Sequence, residues 1–422
     1  MTTALSDQAN PANATYAKDV FARNTLALLG HPQLYYRWVN LYVNGLYWGA
    51  YLLTEKADTD TCKRRFGEGN YYVWKDGAGA VVGDGATISG SPCPATVWAN
   101  LLAASAAVYT QANAAPPEDA STEYAAVETQ MEVGSFIDYT LLHACLGNFD
   151  SLHNNGRVYR EMPDGKFNWL AYDVEVGADA PALNRDCFSN WWPGGSRPSA
   201  TSEARLLFDL SKHPKFAQRY GDRAWQICFM PTALQSRDED GALAGDIPTD
   251  KAQARFQAAA TEFDAIRLSE SLRWGMGYRD VFSAAPRQTT GTPYAIGTNT
   301  TPNTGVFFAA RRTILQTQLQ NRGLLSSVPM PEVSLGANPN LWTLTAPTLA
   351  DSETYYNAGG SPIEPDAAGT DTAGSLLAPG ASVTLTAPFH LTVRVRSPLP
   401  NGTTDDTPFW SNLFDVQLPT HP

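Results

Sequence analysis

The chain has 422 residues, of which 43% are hydrophobic, enough for a sizeable core and for two or three domains of ordinary size. Its net charge is −12 and it shows no basic stripe of the kind that displaces counterions from phosphate, which argues against a nucleic-acid partner. With 11 Trp, 18 Tyr and 17 Phe the composition is the opposite of a disordered chain, and no apolar run approaches the roughly 20 residues that span a bilayer.

An amphipathic helix is expected over residues 17–29, with Val20, Leu26 and Leu29 near one face and Gly30 as its stop. A β-rich run at 38–43 meets Asn44-Gly45, the strongest short hairpin signal, and returns as a second strand at 47–53. Residues 70–75 read as a third strand, and 81–94 as a Gly-rich loop. A helix is expected over 122–146, where Ile137, Leu141 and Ala144 repeat at i, i+4, i+7. A polar loop follows at 147–155, then strands at 157–160 and 167–172 joined by a turn at Pro163-Asp164-Gly165. Helical patterns recur from 203 to about 230, over 249–275 and over 305–322. After Gly323, prolines punctuate short runs that alternate at period two, such as 383–386 and 391–396. That pattern predicts a β-sandwich and divides the chain near residue 327, into 1–327 and 328–422. The five cysteines show no C-x-x-C spacing, which argues against zinc. An odd number leaves at least one thiol free. Buried thiols are expected, with one or two disulfides the alternative.

One order of residues points to chemistry. A Gly-containing hairpin is followed by a strand Lys, a helix, a polar loop with Asp and Asn, a hairpin and another Asp. Phosphoryl transfer needs a cover over the phosphates, a cation on them, metal ligands and a carboxylate near the attacking hydroxyl. Protein kinases supply these groups in the same chain order, with the catalytic Asp and Asn five residues apart. In this chain Asn155 stands five residues after Asp150, and Asp173 follows the next hairpin. The spacing arises often by chance. A loop Asp that caps a turn is the plain alternative.

The stretch Leu41-Tyr42-Val43-Asn44-Gly45-Leu46-Tyr47-Trp48-Gly49-Ala50-Tyr51-Leu52-Leu53-Thr54-Glu55 resembles the CotH (spore coat protein H) kinase family. So do Asn148-Phe149-Asp150 through Asn155 with Val158-Tyr159-Arg160, and Lys166-Phe167 through Tyr172-Asp173, where the family prefers Trp at position 172. Ser269 to Gly275 resembles a late helix of a secreted bacterial branch. The C-terminal part resembles the small domain of chitobiase-type hexosaminidases, with Tyr355-Tyr356-Asn357-Ala358-Gly359-Gly360-Ser361-Pro362 as a loose version of its motif. The resemblance implies an α+β, atypical protein-kinase-like two-lobed fold, followed by an immunoglobulin-like β-sandwich.

It further implies Mg²⁺-dependent transfer of the γ-phosphoryl group of ATP to Ser or Thr of a protein. Asp150 would handle the acceptor hydroxyl, or cap a turn. Asn155 and Asp173 would hold Mg²⁺, with Asn154 the rival of Asn155. Glu175 would add a ligand or be exposed. Lys75 would place its compact charge on the phosphates, with Lys56 as competitor. Glu55 would pair with that lysine or end its strand in solvent. Gly45 and Gly49 would let backbone approach the phosphates, or serve turn geometry alone. His153 is read as structural before substrate-binding, and Trp191-Trp192 as packing. The resemblance implies an extracellular or cell-surface location with a leader absent from this chain, because Met1 to Asp7 lack basic and apolar regions; a cytosolic location is the alternative. Two rivals stand beside the enzyme: an inert surface or adhesion protein on the same fold, and a carbohydrate-associated protein.

Overall fold

The structure is a computed structural model. It describes residues 17–75, 95–114, 120–152, 154–174, 176–178, 180–199, 202–230, 250–274, 288–289, 292–293, 306–335, 338, 340–359, 363, 374–387, 389–397 and 409–418. In chain order the first elements are α1 (Lys18–Leu28), β1 (Tyr36–Val43), β2 (Leu46–Thr54), α2 (Thr59–Phe66), β3 (Asn70–Lys75), α3 (Ala95–Ala112), α4 (Ser121–Glu128) and α5 (Val133–Leu146). A 3₁₀ turn (Phe149–Leu152) leads to β4 (Arg157–Met162) and β5 (Asn168–Trp169). The helices α6 (Ala180–Leu183), α7 (Cys187–Trp191), α8 (Glu203–Leu210), α9 (Pro214–Ala224), α10 (Asp250–Trp274) and α11 (Val306–Gln320) follow. These residues form two compact units.

The first unit runs to His213 and resumes at 250–315 among the described residues. Here β1 and β2 form a hairpin whose turn residues Asn44 and Gly45 both have positive φ (51° and 79°), as a type I′ turn requires. The register slips after Leu41, so that Trp48 is an extra residue beside Gly49. A separate sheet has the order β3-β4-β5. The strand that ends at Lys75 therefore pairs with the strand after the polar loop, and Lys75 lies opposite Arg157. One core of this unit packs Leu34, Cys62, Tyr71, Val73, Tyr159 and Leu170 together.

The helix expected over 122–146 is broken. Phe167 N–H donates to the Gln130 carbonyl (2.9 Å), and Glu132 N–H donates to the Phe167 carbonyl (2.9 Å). This pairing ends α4 and starts α5, and the local 3.6-residue pattern carries no trace of it. Helix α5 is buried along almost its whole length. Its C-terminal carbonyls need partners. Arg311, itself fully buried, donates to the carbonyls of Ala144 (2.6 Å) and Cys145 (3.1 Å). Gly147 ends the helix at φ 67°, where a Cβ would lie 2.4 Å from the Ala182 carbonyl, so only glycine fits. Helix α3 is not among the elements expected from sequence; it buries Trp98, Leu101, Leu102 and Val108.

The second unit joins residues 214–230 to those from Gln316 onward. Two antiparallel sheets carry it. One has the strand order Ser382–Thr386, Leu341–Thr345, Glu332–Leu335. The other centres on Glu353–Asn357, paired with Ser375–Leu377 and with Phe389–Ser397. Val333, Trp342 and Leu344 from the first sheet share a core with Leu391 and Val393 from the second, and Met230 joins it. The helical pattern from 203 to 230 breaks at Pro214, which opens α9 because proline lacks the N–H a continuing helix needs. Arg394 is fully buried and pairs with Asp222 on α9 (2.7 Å). The compact unit takes in α9 and the turn after it together with the residues from Gln316 onward.

Four described cysteines, Cys62, Cys145, Cys187 and Cys228, are buried thiols; Cys93 lies outside the described residues. No helix among the described residues is long and apolar enough to cross a membrane.

Candidate functional site

The loop between α5 and β4 is held along its length. Asn148 donates from Nδ2 to His143 Nδ1 (3.0 Å) and accepts at Oδ1 from the Asp150 N–H (3.2 Å). Trp191 Nε1 donates to the Phe149 carbonyl (2.7 Å), and the Tyr139 hydroxyl donates to the Ser151 carbonyl (3.3 Å). Arg185 donates to the carbonyls of Gly147 and Val176, both at 2.7 Å. His143 is fully buried, and burial pushes its pKa down to about 3. The ring is therefore neutral and can accept at Nδ1.

These contacts aim Asp150. Its Oδ2 accepts from Asn155 Nδ2 (2.9 Å) and from Asn154 Nδ2 (3.0 Å), and the Asn155 N–H donates to the Asp150 carbonyl (3.2 Å). The five-residue spacing is thus the closure of one short loop. Both rival asparagines touch the carboxylate; Asn155 is the buried one and Asn154 the exposed one. With its nitrogen committed to Asp150, Asn155 has its carbonyl oxygen as the atom to offer a cation.

Asp173 is placed by side chains that replace strand partners. The Leu170 N–H still bonds to the Arg157 carbonyl (2.9 Å). Beyond it, Gln33 donates to the Trp169 carbonyl (3.2 Å) and accepts from the Ala171 N–H (2.7 Å). Asp19 on α1 accepts from the Val174 N–H (2.6 Å). Asp173 itself sits at φ 55°, a left-handed conformation that Asp tolerates better than most residues. The strand expected over 167–172 therefore ends at Trp169, because Gln33 and Asp19 take over its backbone groups.

Arg157 links the two halves. It is buried, donates to the Gly156 carbonyl (2.8 Å), and lies over the Tyr172 ring at 4.0 Å. Burial lowers its pKa, opposed first by Tyr172 and further on by Glu203. Asn155 and Asp173 each stand one residue from a group that Arg157 touches. Glu203, fully buried in the first turn of α8, presses on Gly156: a Cβ there would lie 2.4 Å from Glu203 Oε1. Asp19, Gln33, Arg157 and Glu203 are the site residues that sequence reasoning missed. They come from four separate segments, and no local spacing relates them to Asp150.

The remaining candidates divide. The backbone of Lys75 lies opposite Arg157, at the edge of the site. The Glu55 carboxylate is taken by Arg65 Nε (2.8 Å) and the Tyr35 N–H (2.8 Å), which fastens α2 to the hairpin and leaves it the structural role rather than the lysine pairing. Gly45 answers to the turn and Gly49, at φ 152°, to the bulge; both belong to the hairpin sheet, apart from β3-β4-β5. Lys56 is exposed beyond β2. Trp191 and Trp192 are buried, as packing residues should be. His153 and Glu175 lie outside the described residues.

Among the described residues no three His, Cys, Asp or Glu side chains gather where they could hold a metal ion. A carboxylate and an amide oxygen do suit magnesium, which keeps several waters and takes few protein ligands alongside substrate phosphates.

An Asp–Asn loop fed by a buried helix, followed by a hairpin and an Asp four residues beyond its second strand, follows the chain order of a protein of kinase-like class. Residues 8–236, more than half of the chain, match the family described as CotH kinase protein, and the chain belongs to that family. Among curated proteins, no relative matches it.

Proposed function

We propose that this protein is an atypical kinase that transfers the γ-phosphoryl group of ATP to Ser or Thr of a protein acceptor. The observation that carries the reading is the Asp150 carboxylate, held from behind by Asn155 and seated on a loop fixed through Asn148 and neutral His143. Such a carboxylate is positioned to orient an acceptor hydroxyl and take its proton. Asp173 and the Asn155 carbonyl oxygen would hold Mg²⁺, which would neutralise charge on the transferred group. Glu175 is a further ligand in this proposal. Lys75, whose backbone stands opposite Arg157, would place a cation on the phosphates. The two sheets of the second unit, with their shared core, support the immunoglobulin-like reading of that unit. An extracellular or cell-surface location belongs to the same proposal, on the strength of the resemblance.

The test is Asp150→Asn, which keeps an oxygen for Asn155 to donate to. ATP binding should survive, and transfer of labelled phosphate to the chain itself or to a Ser-rich acceptor should fall by on the order of 10²-fold or more. Mg²⁺ and Mn²⁺ are assayed separately. A variant as active as wild type, or a wild type that binds ATP and transfers nothing with either metal, would overturn the proposal.

A further inference from the structure

A pocket lies in the first unit, bounded by α1, the segment before β1, the last turn of α2 and α10, with a volume of about 530 Å³. Arg23 lines it and is only 2% exposed. Among the described residues, its Nε and Nη1 have no hydrogen-bond partner. A guanidinium is charged at every physiological pH, and a buried charge without a counter-charge is costly.

The other charges around the pocket are already committed. Arg65 donates to Glu55 (2.8 Å) and to the Gln33 carbonyl (3.3 Å). Glu262 accepts from the Tyr36 hydroxyl (3.1 Å), which in turn accepts from Asn24 (2.8 Å). Burial pushes the Tyr36 phenol up to about 12, so it remains a neutral donor. Burial also raises the pKa of Glu262, the opposite of what a carboxylate paired with Arg23 would show. Leu34 and Phe66 give the pocket apolar wall.

We propose that this pocket is an oxyanion site: it takes a small ligand bearing a phosphate or carboxylate group, whose oxygens accept from Arg23. The site is independent of the phosphoryl-transfer reading, because it needs neither Asp150 nor Asp173. Its cost without ligand and its gain with ligand have one origin, a buried guanidinium whose Nε and Nη1 meet no partner among the described residues.

The test is thermal unfolding of the full chain at constant ionic strength, with chloride replaced by inorganic phosphate in one arm and by acetate in another. Phosphate, acetate or both should raise the Tm of wild type by about 2–4 °C at saturating concentration, and the effective anion names the class. Arg23→Met should lose that rise. Without added anion it should melt at or above wild type, since an unpaired buried charge has been removed. Asp173→Ala, without magnesium, should keep the rise. The proposal is overturned if neither anion acts on wild type, if Arg23→Met responds as wild type does, or if Arg23→Met alone melts lower or fails to fold. It is equally overturned if Asp173→Ala abolishes the response, which would move the anion to the segment that carries Asp173.

Discussion

His143 supports the candidate catalytic loop only while it is neutral. Its Nδ1 accepts from Asn148, and its Nε2 is buried with no hydrogen-bond partner among the described residues. A second ring proton would face the Asn148 amide donor and would charge a fully buried side chain. The folded pKa is about 3, below the unfolded value near 6.5. The contribution of this ring to stability is therefore fully present above pH about 6.5. It is lost as pH falls toward 3, because the unfolded chain takes a proton that the native ring refuses. In urea unfolding between pH 7.5 and 4.5, wild type should lose up to about 1.4 kcal/mol per pH unit more than His143→Leu below pH 6.5. At pH 7.5 the variant should be the less stable, since Asn148 loses its acceptor. Equal slopes for the two proteins would show that the ring is not protected from protonation.

At the scale of elements, the junction of the loop with β4 depends on α8 for its shape. Glu203 in the first turn of α8 leaves no room for a side chain at Gly156. Gly156→Ala should cost about 1–3 kcal/mol as an overpacked substitution. It should also lower phosphoryl transfer by about 10²-fold, as a displacement near 1 Å at a reacting group does. Glu203→Ala clears the clash, so the double variant Gly156→Ala/Glu203→Ala should be more stable than the sum of the single losses requires. Urea unfolding and labelled-phosphate transfer on the four proteins of the cycle measure both effects. Strict additivity would mean that the two residues do not meet.

At the scale of the whole molecule, the second unit is tied together by residues far apart in the chain. Arg394 is fully buried, and Asp222 meets it with both oxygens (2.9 and 2.7 Å). Asp222 also accepts from the Leu413 N–H (2.7 Å) and from Gln218 (2.9 Å). Asp222→Ala leaves the guanidinium buried with carbonyl partners but no counter-charge. The loss should be about 3–5 kcal/mol, as for a broken buried pair. Calorimetry should show the melting of this unit lowered, while ATP binding at the first unit is retained. An unchanged melting profile would separate α9 from the strands it is seen to join.

Periodicity and turn chemistry are local properties, and they are legible in the sequence. The hairpin at Asn44-Gly45, the strands at 70–75 and 157–160, the helices near 250–274 and 306–320, and the Asp150–Asn155 spacing all follow from residues within a few positions of one another. The break between α4 and α5 depends on Phe167, and the end of β5 depends on Gln33 and Asp19. The tertiary structure alone decides these, because the partner that satisfies each backbone group lies tens to more than a hundred residues away. The same holds for the pairing of Glu55 with Arg65, for the pressure of Glu203 on Gly156, and for the inclusion of α9 in the second unit. A charged side chain is written in the sequence, but its partner is chosen by which buried groups the fold brings within hydrogen-bond reach.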